Sequence, residues 1–314
     1  KPFVEKAEVI KTIHPSGIIK KSAFKIITAL IVALTVSSTL LQWTTKREGN
    51  KGKHSLSIDK QRQSITVAPF ISNSYANTSD DYLANSFGAE ISSSLADVSD
   101  FQVITHNSSI RNQKTALTNQ EIGQKLDADI VLTGKINRVE NGFNVDIQLV
   151  STNTNETIWA QNYHASQNNL YFLKFDIAQE IQAYLFPNNI RPLSYHADPS
   201  FVNPKAYDFY LKAMDYHRRN SKSANLHAQT LVERAYELSP SCLDIISGYA
   251  SILNRGITLG EKADTSLTKA VSLANKAIEL YPNNFRGYVE LANSMLLQQD
   301  DKMALNYFKQ ALLL

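Results

Sequence analysis

Seven histidines and one cysteine are the side chains of this 314-residue chain best suited to metal binding or nucleophilic catalysis. His14, His54, His106, His164, His196, His217 and His227 are scattered, with no two at ligand spacing, so they read as surface or hydrogen-bonded residues. A pH sensor on His106 or His164 is the one use this pattern leaves open, because imidazole titrates near neutrality. Cys242 opens a helix-hairpin junction with no histidine suitably spaced, which favours a packed thiol over a nucleophile. Asp127 and Asp129 precede a strand and read as a helix end and a solvated turn. Gly134 stands alone after a strand-like run, where a bulge explains it better than phosphate contact. No GxxxxGK[ST] loop, HExxH helix, CxxC pair or GxSxG elbow occurs. The expectation is a stretch without catalytic residues, cofactor or metal, and the net charge of +3 gives no basic field for nucleic acid.

The elements carry a clearer signal than the reactive side chains. The best-patterned stretch runs from Ile122 to Trp159, a short helix and then three strands. Phe143, Val145, Ile147 and Leu149 alternate with Asn144, Asp146 and Gln148, the period of a half-buried antiparallel strand. Asn141-Gly142 supplies the positive φ of a tight hairpin back to Ile130–Val139, and Ser151–Asn155 forms a second turn before Thr157-Ile158-Trp159. A buried Trp159 would contribute about 3–5 kcal/mol. Upstream, Ser64–Phe70 reads as a strand ended by Pro69. Leu83, Phe87, Ile91 and Leu95 make one helical stripe, with Asp80 or Asp81 as cap. Phe101–Ile104 is a short strand, and Thr118 with Glu121 has capping-box spacing. Leu173, Ile177, Ile181 and Tyr184 form a last stripe, stopped by Pro187. The order β-α-β-α-β-β-β-α predicts an α/β domain with a mixed sheet packed on helices.

Residues 1–25 carry six lysines and no domain-sized pattern, and read as a juxtamembrane tail of an upstream region. The run from Ile26 to Trp43 has no charge; with Thr44 and Thr45 it reaches 20 residues, about 30 Å as a helix, which predicts a transmembrane helix over 26–45. No Ala-x-Ala site follows it, against a cleaved signal peptide. Basic residues flank the run on both sides, so charge leaves its orientation undecided. Residues 46–62 read as a polar linker, 63–186 as the α/β domain, 187–205 as a Pro-rich linker and 206–314 as helical repeats. The chain starts at Lys1 and stops inside an apolar helical pattern at Leu314, which reads as a fragment open at both ends.

Within 206–314, Ala270, Ala274 and Ala277 recur as Ala304, Phe308 and Ala311, a shift of 34 residues, the period of tetratricopeptide repeats. An irregular helical bundle is the plainer alternative. The earlier repeats are looser, with a longer insertion around Gly256–Asp264. First helices of such repeats line one face, which puts Tyr207, Tyr210, Met214 and His217 beside Arg286, Val289 and Asn293. This mixed aromatic and polar surface suits a protein or peptide partner, or else covers the adjoining α/β domain.

The segments Ile65–Phe70 (ITVAPF), Leu83–Leu95, Phe101–Ser109 (FQVITHNSS), Ile122–Gly134 (IGQKLDADIVLTG), Asp146–Val150 and Ile158-Trp159 resemble the bacterial domain related to the amino-terminal domain of TolB. Asn203-Pro204-Lys205-Ala206-Tyr207 and Tyr210-Leu211-Lys212 are similar to that family's junction into tetratricopeptide repeats. The β-propeller of TolB has no counterpart after Leu185. The resemblance implies a pair of sensory domains behind one membrane helix. Their output would be a winged-helix DNA-binding domain, as in CadC/ToxR-type regulators, or a class III adenylate cyclase. It also implies a cytoplasmic amino terminus, with residues 46–314 periplasmic at the inner membrane.

The expected function is therefore the non-catalytic sensory and protein-interaction portion of a single-pass membrane signalling protein, foremost a CadC/ToxR-type transcriptional regulator without its DNA-binding domain. The regulatory region of a class III adenylate cyclase and a Tol-type envelope scaffold are the alternatives. A homodimer is compatible with each, and DNA would be reached only through a domain outside this fragment.

Overall fold

The computed structural model describes residues 63–72, 80–97, 102–104, 117–188 and 202–314. The apolar run 26–43, the tail, the 46–62 linker, His106 and most of the Pro-rich linker lie outside the described residues. Among the described residues no helix is long and apolar enough to cross a membrane.

The α/β region follows the expected order: β1 (Ser64–Val67), α1 (Asp81–Ala96), β2 (Gln102–Ile104), α2 (Asn119–Leu126), β3 (Ile130–Val139), β4 (Gly142–Ser151), β5 (Thr157–Ala165) and α3 (Leu170–Leu185). The sheet runs β2-β1-β3-β4-β5, parallel where β1 meets β2 and β3 and antiparallel from β3 to β5. Every residue of β1 is buried, as an inner strand with parallel partners requires. The alternating residues Phe143, Val145, Ile147 and Leu149 of β4 point into the core, where the α1 stripe of Leu83, Phe87, Ile91 and Leu95 joins them. Ile122 of α2 meets Ala68 and Val131 in a separate, smaller cluster. The Thr118–Glu121 capping box forms as expected: Glu121 N–H donates to Thr118 Oγ1 at 3.3 Å and Thr118 N–H donates to Glu121 Oε2 at 2.8 Å. Asp80 occupies the N-cap of α1 without a capping bond; its carboxylate instead meets Arg138 Nε at 3.6 Å.

Several local features differ from the sequence reading. The hairpin loop is Glu140-Asn141, one residue earlier, because Val139 pairs with Gly142. Gly142 has φ +148°, and a Cβ there would lie 2.0 Å from the Ala165 carbonyl oxygen, so the end of β5 demands the glycine. Gly134 is regularly paired with Ile147 and makes no bulge. It is a glycine because the Phe70 ring packs on it, 2.5 Å from where a Cβ would stand. Trp159 is only half-buried, since β5 is the edge strand, and its ring tilts against Tyr184 at 6.3 Å.

After Asn203, six helices follow: α4 (Pro204–Arg218), α5 (Lys222–Leu238), α6 (Leu243–Thr258), α7 (Ala263–Leu280), α8 (Phe285–Leu297) and α9 (Asp301–Leu313). Each packs on its sequence neighbour, and α6 also packs on α4 and α8, giving a stack of helix pairs. The insertion around Gly256 adds no long loop; it is taken up by a 16-residue α6 and an 18-residue α7, with only Leu259–Lys262 between them. The described residues, from 63 onward, fall within one compact unit. Val202, Ala206, Tyr207, Tyr210, Leu211 and Ile245 of the helical region belong to the same core as the sheet and α1.

Candidate functional site

The shared core has a charged centre. Helix α3 is apolar on more than one face, because it packs on the α/β core and faces the helix stack as well. Lys174 sits within that apolar sequence and is 2 % exposed. Its ammonium donates to Glu90 Oε2 of α1 at 2.7 Å and to Asp244 Oδ2 of α6 at 2.6 Å. Tyr210 OH of α4 donates to the other Glu90 oxygen at 2.9 Å. The rings of Tyr171, Phe175 and Tyr207 surround the ammonium at 4.7, 4.9 and 5.7 Å.

A second cation extends the cluster. Arg286 of α8 donates to Ser93 Oγ at 2.7 Å and to Asp97 Oδ2 at 3.0 Å, and its Nε lies 3.9 Å from Asp244 Oδ1. Burial opposes charge on all of these groups. Even so, Asp244 and Glu90 hold Lys174 above the ordinary lysine range, and Asp97 and Asp244 raise Arg286. Burial would likewise raise Asp244, but Lys174 and Arg286 hold it down at about 2. Opposite charges thus pair across four helices, α1, α3, α6 and α8.

Such an arrangement fixes orientation; it offers no group for chemistry. Each cation is committed to carboxylates, and burial pushes the adjacent Cys242 thiol up to about 11, far from a reactive thiolate. Asp127 takes the left-handed cap of α2, and Asp129 Oδ2 accepts from Ser64 N and Oγ at 3.0 and 2.6 Å. Among the described residues no group of three or more His, Cys, Asp or Glu is placed to hold a metal ion. His164 is exposed on β5 beside Asn144, with 2.9 Å between Nδ1 and Oδ1.

The surface residues expected on the first-helix face divide into two groups. Helix α1 lies across the face, so Tyr207 and Tyr210 are buried against the α/β region and Arg286 is bonded to it. Further bonds follow the same line: Tyr82 OH donates to Asp208 at 2.5 Å, Ser86 Oγ to the Leu211 carbonyl at 2.7 Å and Asn85 to Asp215 at 3.3 Å, while Arg218 donates to Ser86. Met214 packs into the same core. His217 is half-buried, and its Nδ1, removed from water, has no hydrogen-bond partner. Burial, then the nearby Arg255 and Arg218, depress its pKa to about 4 against a favourable contact from Asn225. Val289 and Asn293 are half-buried one to two turns past Arg286, and Asn293 lines a cavity between α6 and α8.

Sequence reasoning missed Glu90, Lys174, Asp97 and Asp244. The available signal was Lys174 and Glu90 standing alone within apolar helical faces, each requiring a buried partner of opposite charge.

A family model described as FlgO protein matches residues 53–170. The chain is 23% identical over 238 residues to a Rhizobium meliloti (strain 1021) protein named "Putative adenylate cyclase 3", covering 74% of this chain and 40% of that protein. It thus spans less than half the length of that relative. Among solved structures it is similar to TolB from Acinetobacter baumannii, with a TM-score of 0.31 and 15% identity over 40% of this chain and 29% of that one. It is also similar to a PelC dodecamer from Paraburkholderia phytofirmans, with a TM-score of 0.29 and 12% identity over 40% of this chain and 90% of that one.

Proposed function

We propose that residues 61–314 are a non-catalytic regulatory and protein-interaction module of a membrane-anchored bacterial signalling protein. In this reading a TolB-like α/β region and tetratricopeptide-type helix pairs act as one body. The observation that carries it is the buried Glu90–Lys174–Asp244 cluster. Burying ions costs more than burying methyl groups of the same volume, and the best-attested return on that cost is a unique geometry. A module that passes a binding event onward needs such a fixed geometry, because coupling requires two states that bind the ligand differently. The 34-residue recurrence and the stacked helix pairs support the repeat assignment. The FlgO match supports an envelope setting. With Ile26 to Trp43 as the span, residues 46–314 would be periplasmic at the inner membrane.

For the output, the similarity to a protein named as an adenylate cyclase favours a nucleotide cyclase domain elsewhere in the chain. A winged-helix DNA-binding domain of the CadC/ToxR type is the alternative, and the FlgO match keeps an envelope scaffold as a third. The test is to express the full-length protein in a cyclase-deficient bacterium and compare it with Lys174→Met at equal membrane abundance. Cyclic AMP that changes several-fold with the variant supports the cyclase reading. Altered promoter occupancy without cyclic AMP supports the winged-helix reading. No output of either kind leaves the scaffold and contradicts regulation.

A further inference from the structure

One turn past Arg286, α6 and α8 line a half-open cavity of about 240 Å³. Ser251, Asn254, Arg255 and Thr258 line it from α6, and Glu290 and Asn293 line it from α8. Its polar floor is built before any ligand arrives. Asn254 Nδ2 donates to the Glu290 carbonyl at 3.1 Å and to Glu290 Oε2 at 3.2 Å, and Asn293 Nδ2 reaches the same carboxylate oxygen at 3.5 Å. Ser294 Oγ donates to Asn254 Oδ1 at 3.0 Å, which fixes the amide's orientation. Asn254 and Ser294 are both buried.

The two charges of this cavity attract each other, but neither forms an ion pair among the described residues. Among the described residues Glu290 forms no ion pair; only amides and a hydroxyl donate to it, and burial raises its pKa against their pull and that of the nearby Arg255 charge. Arg255, exposed on the α6 wall, forms no ion pair either. A half-buried carboxylate with no cation at ion-pair distance is under-satisfied, and a ligand that supplies a close cation recovers part of the desolvation cost. An amine alone would meet the like charge of Arg255, and a carboxylate alone would meet the like charge of Glu290. A ligand carrying both groups satisfies both walls with charge-assisted hydrogen bonds.

We propose that the α6–α8 cavity binds a small zwitterion of the free amino acid class, its ammonium on Glu290 and its carboxylate on Arg255. Ser251, Thr258 and Asn293 supply further polar contacts, and Leu296 and Leu297 at the rim accept an apolar side chain. So few ligand atoms limit the affinity to about the micromolar-to-millimolar range. The inference needs only this cavity, so its failure leaves the regulatory reading intact, and failure of that reading leaves the cavity.

The test is calorimetric titration of the full-length protein in detergent with serine, leucine, glutamate and lysine, and with ethylamine and propionate as half-ligands. The expected result is at least one amino acid binding about tenfold or more tightly than either half-ligand. Glu290→Gln and Arg255→Gln should each weaken it about tenfold or more, with the melting temperature of the free Arg255→Gln variant unchanged. Arg255 is exposed, so its variant reads binding even where Glu290→Gln alters folding. No binding heat at about 10 mM of any amino acid, equal affinity for ethylamine, or undiminished binding to Arg255→Gln would each overturn the proposal.

Discussion

Lys174 of the α/β region and Asp244 of the helix stack meet at 2.6 Å with both side chains almost wholly removed from water. Seventy residues of sequence separate them, and the contact joins what the sequence presents as two domains across a Pro-rich linker. The two regions share an interface. Because Glu90 shares the same ammonium, the two regions are tied through one cation.

Lys174→Met would leave Glu90 and Asp244 buried against each other. The expected loss is about 3–5 kcal/mol in denaturant unfolding of the full chain. Neutralising the acids as well, with Glu90→Gln and Asp244→Asn, should return much of that loss, because an apolar or neutral seam avoids the desolvation penalty. A single variant within about 1 kcal/mol of wild type would mean that the cluster is solvated.

Acid should act in two steps. Half-buried His217 has its pKa lowered to about 4 from 6.5, so the unfolded chain takes up this proton first. The stability from keeping His217 neutral is complete above pH 6.5 and is lost as pH falls through 4, at most about 3 kcal/mol. Asp244 has the same sign at lower pH: its pKa falls from 3.8 to about 2, so its contribution is full above pH 3.8 and disappears as pH drops through 2. Lys174 is raised, so its share persists below pH 10.5 and is lost at higher pH. His217→Gln should flatten the stability profile between pH 6.5 and 4; an unchanged slope there would assign it to other groups.

Gly134→Ala would drive a methyl group into the Phe70 ring, and overpacking of this kind costs about 1–3 kcal/mol. Phe70→Leu in the same chain should relieve part of the clash. A thermal melt of single and double variants checks this, and additive losses would place the strain elsewhere.

Trp159→Ala removes a half-buried ring from an edge strand, so the expected cost is about 1–2 kcal/mol, below that of a core tryptophan. Urea unfolding measures it. A loss near 4 kcal/mol would put the ring in the core.

Local sequence carried the α/β order because periodicity and turn chemistry are read over a few residues: the β4 alternation, the α1 stripe and the Thr118–Glu121 box are all present. Gly134 and Gly142 were visible as glycines, but their reasons lie in Phe70 and Ala165, distant in sequence. The face of Tyr207, Tyr210 and Arg286 was also legible, since helical spacing places side chains on faces. That the adjoining α/β domain covers it stood as one of two alternatives; that α1 is the covering element was not legible, because α1 reaches the face through contacts more than a hundred residues apart.

Coupling of the two regions is the central claim, and native-state hydrogen exchange of the full-length protein tests it most directly. Amides in β3, β4 and α6 should open with the same free energy, and Lys174→Met should split them into two units, the helix stack opening first. Wild-type α6 amides that open about 2 kcal/mol or more below those of β3 and β4 would show independent regions and contradict the account.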